Sequence, residues 1–281
     1  MKKIIACIDG SSIGDAVCDA AAWAANTLDA PLMLLHTVEK SDFNAADLSG
    51  TIGLDAREAL LKELADLDAK RNKLAVDHGK AVLEAAKQRA IDDGATSVEM
   101  LQRHGDVLDA LEEKSDEIRL IVMGRNGGSQ QVSDHLGSHA ERAARVRNEP
   151  LLLTVGPFDP PKNFMIAYDG RSTSVNALKR IAESNLVKGL PCHIVTVGEN
   201  NVANQARQAD AAQFMIEYGF DVTSDLIPGN IFNVLKSYQS HHNIDLLVMG
   251  AYGHSAVREF FVGSNTTRML STSKKPLLII K

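Results

Sequence analysis

The amino-acid sequence predicts an α/β protein in which one parallel-sheet unit is written twice. Three observations carry this reading. The chain contains an internal repeat, its short apolar runs alternate with helix-spaced stretches, and each half holds a spaced glycine set after the same strand. Phe164-Met165-Ile166-Ala167-Tyr168-Asp169-Gly170 echoes Ile4-Ile5-Ala6-Cys7-Ile8-Asp9-Gly10. Leu246-Leu247-Val248-Met249-Gly250 echoes Leu120-Ile121-Val122-Met123-Gly124. Asp9 and Asp169 stand 160 apart, as do Pro31 and Pro191. Gly124 and Gly250, Gly137 and Gly263, and Pro150 and Pro276 all stand 126 apart. The difference between the two offsets is 34 residues, which the first copy carries between its second strand and its glycine set. A repeat of this kind marks one folding unit used twice.

The elements follow in order. The first copy reads as strands at Ile4–Ile8, Leu32–Val38, Ser97–Gln102, Leu120–Met123 and Leu151–Val155. The second reads as strands at Phe164–Tyr168, His193–Val197, Val222–Ile227, Leu246–Met249 and Leu277–Ile280. Apolar runs without polar alternation suit strands buried on both faces. Asp15–Leu28 and Asn201–Tyr218 have helical spacing, and strand–helix alternation implies a parallel sheet with helices on both sides. In the extra segment, about 39–78, Leu60, Leu64, Leu67 and Leu74 share one helical face. The segment reads as a longer surface helix on the first domain, with a lid or an oligomer contact as the functional alternative. Ser41–Gly53, small and polar, is expected to be a mobile loop. Residues 157–162 hold three of the eight prolines, which suits neither helix nor sheet interior. The domains are therefore placed at 1–156 and 163–281, with a linker short enough to make them dock.

Composition excludes several classes. Of 281 residues, 44% are hydrophobic and 23% charged, an ordinary globular balance. No run approaches the roughly 20 apolar residues of a membrane span, and Asp9 interrupts the first apolar run too early for a signal peptide. The net charge of -6 opposes a sequence-independent grip on nucleic acid, and 5% aromatics offer few stacking platforms. Three cysteines, Cys7, Cys18 and Cys192, read as reduced thiols of a cytoplasmic protein.

The glycine sets carry the chemistry. Gly250-Ala251-Tyr252-Gly253, nine residues and Gly263-Ser264 match Gly124-Arg125-Asn126-Gly127, nine residues and Gly137-Ser138. A glycine at a strand end lets the backbone turn and lets a ligand come close. The Gly-Ser pair opens a helix, whose free N–H groups and positive dipole end favour an anion. Two inherited turns without a ligand would give the same pattern. Asp9 and Asp169 end the first strand of each copy. They serve either as turn residues, with Ser11 or Ser172 as caps, or as acceptors for a ribose hydroxyl or a base edge beside the anion site. If the first and fourth strands are neighbours, Asp169 and Gly250 flank one crevice at the switch point of the sheet.

Asp-Gly after the first strand, Val-Met-Gly at the fourth and Gly-x2-Gly-x9-Gly-Ser together resemble the universal stress protein family, and the match covers nearly the whole chain twice. The resemblance is to its tandem, two-domain members. It implies Rossmann-like domains of the adenine nucleotide alpha-hydrolase type, each a five-stranded parallel sheet of order 3-2-1-4-5. It also implies a stress-response role with ATP binding. By position, Asp169 and Val197 would meet the adenosine, with Met249 and Gly250 beside it. Gly253, Gly263, Ser264, Asn265 and Thr266 would hold the phosphates. The first-copy matches are Asp9, Thr37, Met123, Gly124, Gly127, Gly137 and Ser138. After its third glycine the second copy has Ser264-Asn265-Thr266-Thr267, whereas the first has Ser138-His139-Ala140-Glu141, so the second site is the better phosphate cradle.

Other motifs lead nowhere. There is no P-loop, and Val257 stands where a nucleophile elbow needs its last glycine. His135 and His139 have metal-ligand spacing, but Gly137 between them marks a helix start. The expected protein is a nucleotide-dependent sensor or adaptor for an unknown protein partner, with magnesium or manganese held by the ATP phosphates. No dedicated base or arginine finger is evident, so ATP hydrolysis is expected to be slow or absent. The alternative is an interaction protein of the same fold that binds no nucleotide. Leu151–Val155 and Leu277–Ile280 would be exposed edges, so the two domains are expected to pair there within one chain. Association of two such chains is left open.

Overall fold

The computed structural model describes residues 1–38, 54–126, 137–250 and 265–281, excepting the side chains of 54–61 and 265–267. The first copy runs β1 (Lys3–Cys7), α1 (Gly14–Leu28), β2 (Leu32–Val38), α2 (Leu54–Asp92), β3 (Val98–His104), α3 (Val107–Glu113), β4 (Ile118–Gly124), α4 (Ser138–Val146) and β5 (Leu151–Thr154). The second runs β6 (Phe164–Ala167), α5 (Ser172–Ala182), β7 (Cys192–Val197), α6 (Val202–Glu217), β8 (Val222–Ile227), α7 (Ile231–His241), β9 (Leu246–Gly250), α8 (Asn265–Thr272) and β10 (Leu277–Ile280). Each copy has strand order 3-2-1-4-5, and the two join into one ten-stranded sheet, β3-β2-β1-β4-β5-β10-β9-β6-β7-β8.

The apolar runs lack alternation because both faces of the sheet are covered. Ile4 and Ala6 enter one core with α1, α2, α5 and α6. Ile5, between them, enters the other with α3, α4, α7 and α8. In α1, Ala20, Ala21, Ala22, Ala24 and Ala25 are all buried. Small side chains with high helix propensity let this helix lie close to the sheet and to α2, where the Cys18 Sγ donates to the Ala86 carbonyl at 3.0 Å.

Every strand pairs in parallel except at the centre. There β5 and β10 are antiparallel, with Leu277 opposite Leu153, Leu278 opposite Leu152 and Ile279 opposite Leu151. All eight residues of these two strands are buried. Each domain thus covers the other's open edge within one chain. The segment between them is tied on both sides: Phe158 packs on Trp23 at 5.5 Å between ring centroids, and the Lys162 N–H donates to Asp245 Oδ2 at 3.1 Å.

The extra residues of the first copy extend the crossover helix. α2 spans 39 residues against 16 in α6. Its C-terminal half is anchored by Leu83, Ala86 and Ala90, and Arg89 pairs with Asp19. Leu67 and Leu74, by contrast, are 54% and 70% exposed. Leu67 and Leu74 of the expected leucine face therefore lie in solvent, because the helix outruns the sheet beneath it. The Ser41–Gly53 loop lies outside the described residues. No helix among the described residues is long and apolar enough to cross a membrane.

Cys18 and Cys192 are core residues, and Cys7 is partly buried against the second core. Burial pushes the thiols of Cys7, Cys18 and Cys192 up to about 12, with the Asp9 carboxylate adding to the effect at Cys7. A disulfide-exchange thiol reagent at pH 8 is therefore expected to leave the native protein unlabelled and to label it after denaturation. Leu152→Ala should cost about 2–5 kcal/mol in urea unfolding, the usual loss for a fully buried leucine.

Candidate functional site

In each copy the strand order reverses between the first and fourth strands, and a crevice opens at their carboxyl ends. In the second domain β6 and β9 are direct neighbours, with Ala167 opposite Met249. This register sets Asp169, two residues past β6, beside Gly250, the last residue of β9. In the first domain β1 and β4 pair with Ala6 opposite Val122, which sets Asp9 beside Gly124. Because the central seam is antiparallel, the two crevices open on opposite edges of the sheet.

The acid at each strand end is held by a turn. Asp169 Oδ1 accepts from the Arg171 N–H at 2.9 Å and from Ser174 Oγ at 2.7 Å. Asp9 Oδ1 accepts from the Ser11 N–H at 3.0 Å. Gly10 and Gly170 both have φ near 72°, a left-handed conformation that favours glycine. The expected serine caps are not used. α1 and α5 begin after Ile13 and Arg171 without a side-chain cap. Each carboxylate instead closes a turn on the amide two residues further on, and Ser11 Oγ is buried without a hydrogen bond among the described residues. The Asp169 side chain nevertheless remains 54% exposed, with Arg171 Nε at 3.7 Å from its second oxygen.

The strand-end glycines answer to packing as well as to any ligand. A Cβ on Gly250 would stand 2.6 Å from the Thr173 carbonyl and 2.8 Å from the Ser174 nitrogen. A Cβ on Gly124 would stand 2.5 Å from Ile13 Cγ2. The entering helix thus crosses the end of β9 at backbone distance, and at β4 a side chain stands that close. The neighbouring Met123 and Met249 side chains are 5% and 6% exposed and belong to the core, so they offer a ligand little surface.

The opposite walls differ between the domains. In the first, α2 descends on the crevice. Val82 and His78 lie 3.2 and 3.6 Å from where a Gly10 Cβ would be. His36 Nδ1, one residue before Thr37, sits 2.7 Å from the Ile8 carbonyl. In the second domain Arg207 of α6 fills this place. Its Nη1 donates to the Asp169 carbonyl and to Asn204 Oδ1, both at 3.3 Å. Val197 ends β7 on this side, and the buried Thr196 Oγ1 before it has no hydrogen-bond partner among the described residues. Arg207 brings the crevice a cation that the sequence reading missed. Its only sequence signal is an arginine three residues after Asn204 in an otherwise polar stretch.

The anion ends are described in part. α4 starts at Ser138 after Gly137, whose N–H donates to the Arg125 carbonyl at 2.8 Å. Its first turn carries Glu141, which is paired with Arg145 at 2.6 Å. α8 starts at Asn265, with Thr266 in its first turn. Gly127, His135, Gly253, Gly263 and Ser264 lie outside the described residues, as do the side chains of Asn265 and Thr266. Among the described residues no cluster of three His, Cys, Asp or Glu could hold a metal ion. Gly250→Ala is expected to destabilise the protein by about 1–3 kcal/mol in urea unfolding, because the clash is with backbone. Gly124→Ala should cost less, since the Ile13 side chain can turn away.

Comparison with known proteins agrees with this architecture. The sequence model of the universal stress protein family matches residues 1–154 and again 161–281. The chain is 34% identical to universal stress protein Slr1230 of Synechocystis over 287 aligned positions, covering 100% of both. A solved universal stress protein of Archaeoglobus fulgidus superposes with a TM-score of 0.76 at 16% identity, covering 99% of this chain and 98% of its own. One described as a putative universal stress protein of Pseudomonas aeruginosa gives 0.64 at 18% identity, covering 100% and 93%. With its family motifs present twice and its fold shared end to end, the chain belongs to the universal stress protein family.

Proposed function

We propose that the chain is an ATP-binding stress-response protein, a nucleotide-dependent sensor or adaptor whose principal site is in the second domain. The observation that carries this reading is the shared crevice of Asp169 and Gly250, with α8 starting at Asn265 directly after Gly263-Ser264. A carboxylate and a helix N-terminus at one switch point suit a ligand with hydroxyls at one end and phosphates at the other. The exposed oxygen of Asp169 would accept from a ribose hydroxyl. Val197 and the backbone of Met249 and Gly250 would line the adenosine. Gly253, Gly263, Ser264, Asn265 and Thr266 would donate to phosphate oxygens.

Electrostatics make this a local grip. The whole chain carries -6, so a polyanion must be held by helix-end amides and by Arg207 at the crevice mouth. A magnesium or manganese ion would ride on the phosphates. With no base or arginine finger assigned to the site, hydrolysis is slow or absent, and occupancy itself is the signal. ATP would order the glycine loop and shift the binding of a protein partner in the cytoplasm.

The first domain, with Asp9, Thr37, Met123, Gly124, Gly127, Gly137 and Ser138, is the weaker site. The reading without nucleotide draws its support from this domain. There Glu141 stands in the first turn of the helix that would meet phosphate.

Isothermal titration calorimetry with ATP tests the proposal. Wild type should bind one ATP more tightly than any second, and Gly263→Asp should abolish the tight event by placing a carboxylate at the phosphates. Asp169→Asn should weaken it about tenfold, the scale of one charged hydrogen bond. Absence of binding by wild type would overturn the proposal.

A further inference from the structure

We infer that each domain positions the glycine-led helix of the other through one cation: Arg125 of the first domain holds α8, and Lys281 of the second holds α4. Arg125 follows Gly124 at the carboxyl end of β4. The antiparallel β5–β10 seam brings that edge beside the amino edge of the second domain. α8 runs back toward this amino edge to re-enter the sheet at β10, so its C-terminus arrives next to Arg125. The Arg125 side chain is buried, and its Nη1 donates to the Ser273 carbonyl at 2.5 Å, across 148 residues of chain. The Ser273 N–H closes the last turn of α8 on Met269. The carbonyl that Arg125 meets therefore lies at the negative end of the helix dipole.

The reverse contact has the same logic. Lys281 follows β10 at the carboxyl edge of the second domain, and its Nζ donates to the Arg145 carbonyl in the last turn of α4 at 2.6 Å. The Lys281 backbone is fixed in turn by Asn176 and Arg180 of α5. The repeat does not supply this pairing. Arg125 corresponds to Ala251 and Lys281 to Val155, and neither is a cation. Two unrelated positions thus place a positive charge at the same end of equivalent helices, each from the opposite domain.

The consequence concerns the nucleotide site and rests on the reading proposed above. α8 is two turns long, so holding its far end sets where its N-terminus, with Asn265 and Thr266, points. The glycine turn of the first domain, through Arg125, then regulates phosphate binding in the second. A ligand or partner that moves the first turn alters ATP affinity in the other domain.

Hydrogen exchange by mass spectrometry on the full chain tests the latch without any ligand. Arg125→Met should speed amide exchange in α8 on the order of tenfold and leave α4 as in wild type, while Lys281→Met does the reverse. Arg125→Lys, which keeps the charge, should restore much of the protection. Loosening confined to the substituted domain's own helix, equal in both helices, or absent from both would overturn the inference. Should Arg125→Met fail to fold, Arg125→Gln and Lys281→Met still decide by the same crossed pattern. Calorimetry with ATP gives the second readout: Arg125→Met should weaken the tight event on the order of tenfold, and Lys281→Met should leave it near wild type. Unchanged affinity in a variant whose α8 is loosened would overturn the regulation. If wild type binds no ATP, the function proposed above fails, while the exchange pattern still decides the latch.

Discussion

The antiparallel pairing of β5 with β10 is the constraint on which the rest of the molecule depends. A five-stranded parallel unit ends in an unpaired edge, and backbone donors and acceptors at an edge must find partners or water. Here each copy satisfies the other, through strands whose eight residues are all buried. The direction of this pairing has consequences well beyond the seam. It turns the carboxyl ends of the two half-sheets toward opposite edges, so the two crevices cannot share a ligand. It also leaves α1, α2, α5 and α6 on one face and α3, α4, α7 and α8 on the other, which makes two continuous cores.

The same geometry sets the end of one domain's fourth strand beside the closing turn of the other's last helix. Buried carbonyls at a helix end require donors, and a cation there is favoured by the dipole. Arg125 and Lys281 meet that need across the seam. The glycine turn of the first copy, which repeat logic reads as a second nucleotide site, thereby acquires a structural duty. Divergence between the copies follows the same division. The first has a long α2 that sets Val82 and His78 against its glycine turn, while the second sets the Arg207 side chain there.

Much of the fold was legible in the sequence because its signals are local and repeated. Apolar runs such as Leu120–Met123 and Leu246–Met249 announce strands covered on both sides, and the paired offsets announce two copies. The strand order and the pairing of the last strands followed from the family resemblance and from the need to cover an edge. What escaped the sequence is set by tertiary geometry. Ser11 and Ser172 have the composition of caps, yet α1 and α5 begin after Ile13 and Arg171, neither with a side-chain cap. Leu67 and Leu74 have the spacing of a packed face, but whether a sheet lies beneath them depends on the helix outrunning its domain. Gly124 and Gly250 read as ligand glycines, and only coordinates reveal the helix passing 2.5–2.8 Å from their missing Cβ atoms. Arg125 has no sequence signal at all, since its partner is 148 residues away.

The central claim is that two like units joined by one seam are unlike in use, with ATP held by the second. A crystal structure grown with ATP and magnesium tests it most directly. The account predicts nucleotide between Asp169 and the start of α8, its phosphates on the amides around Ser264 and Asn265. Nucleotide found in the crevice of Asp9 and Gly124 alone, with the second crevice empty, would contradict it.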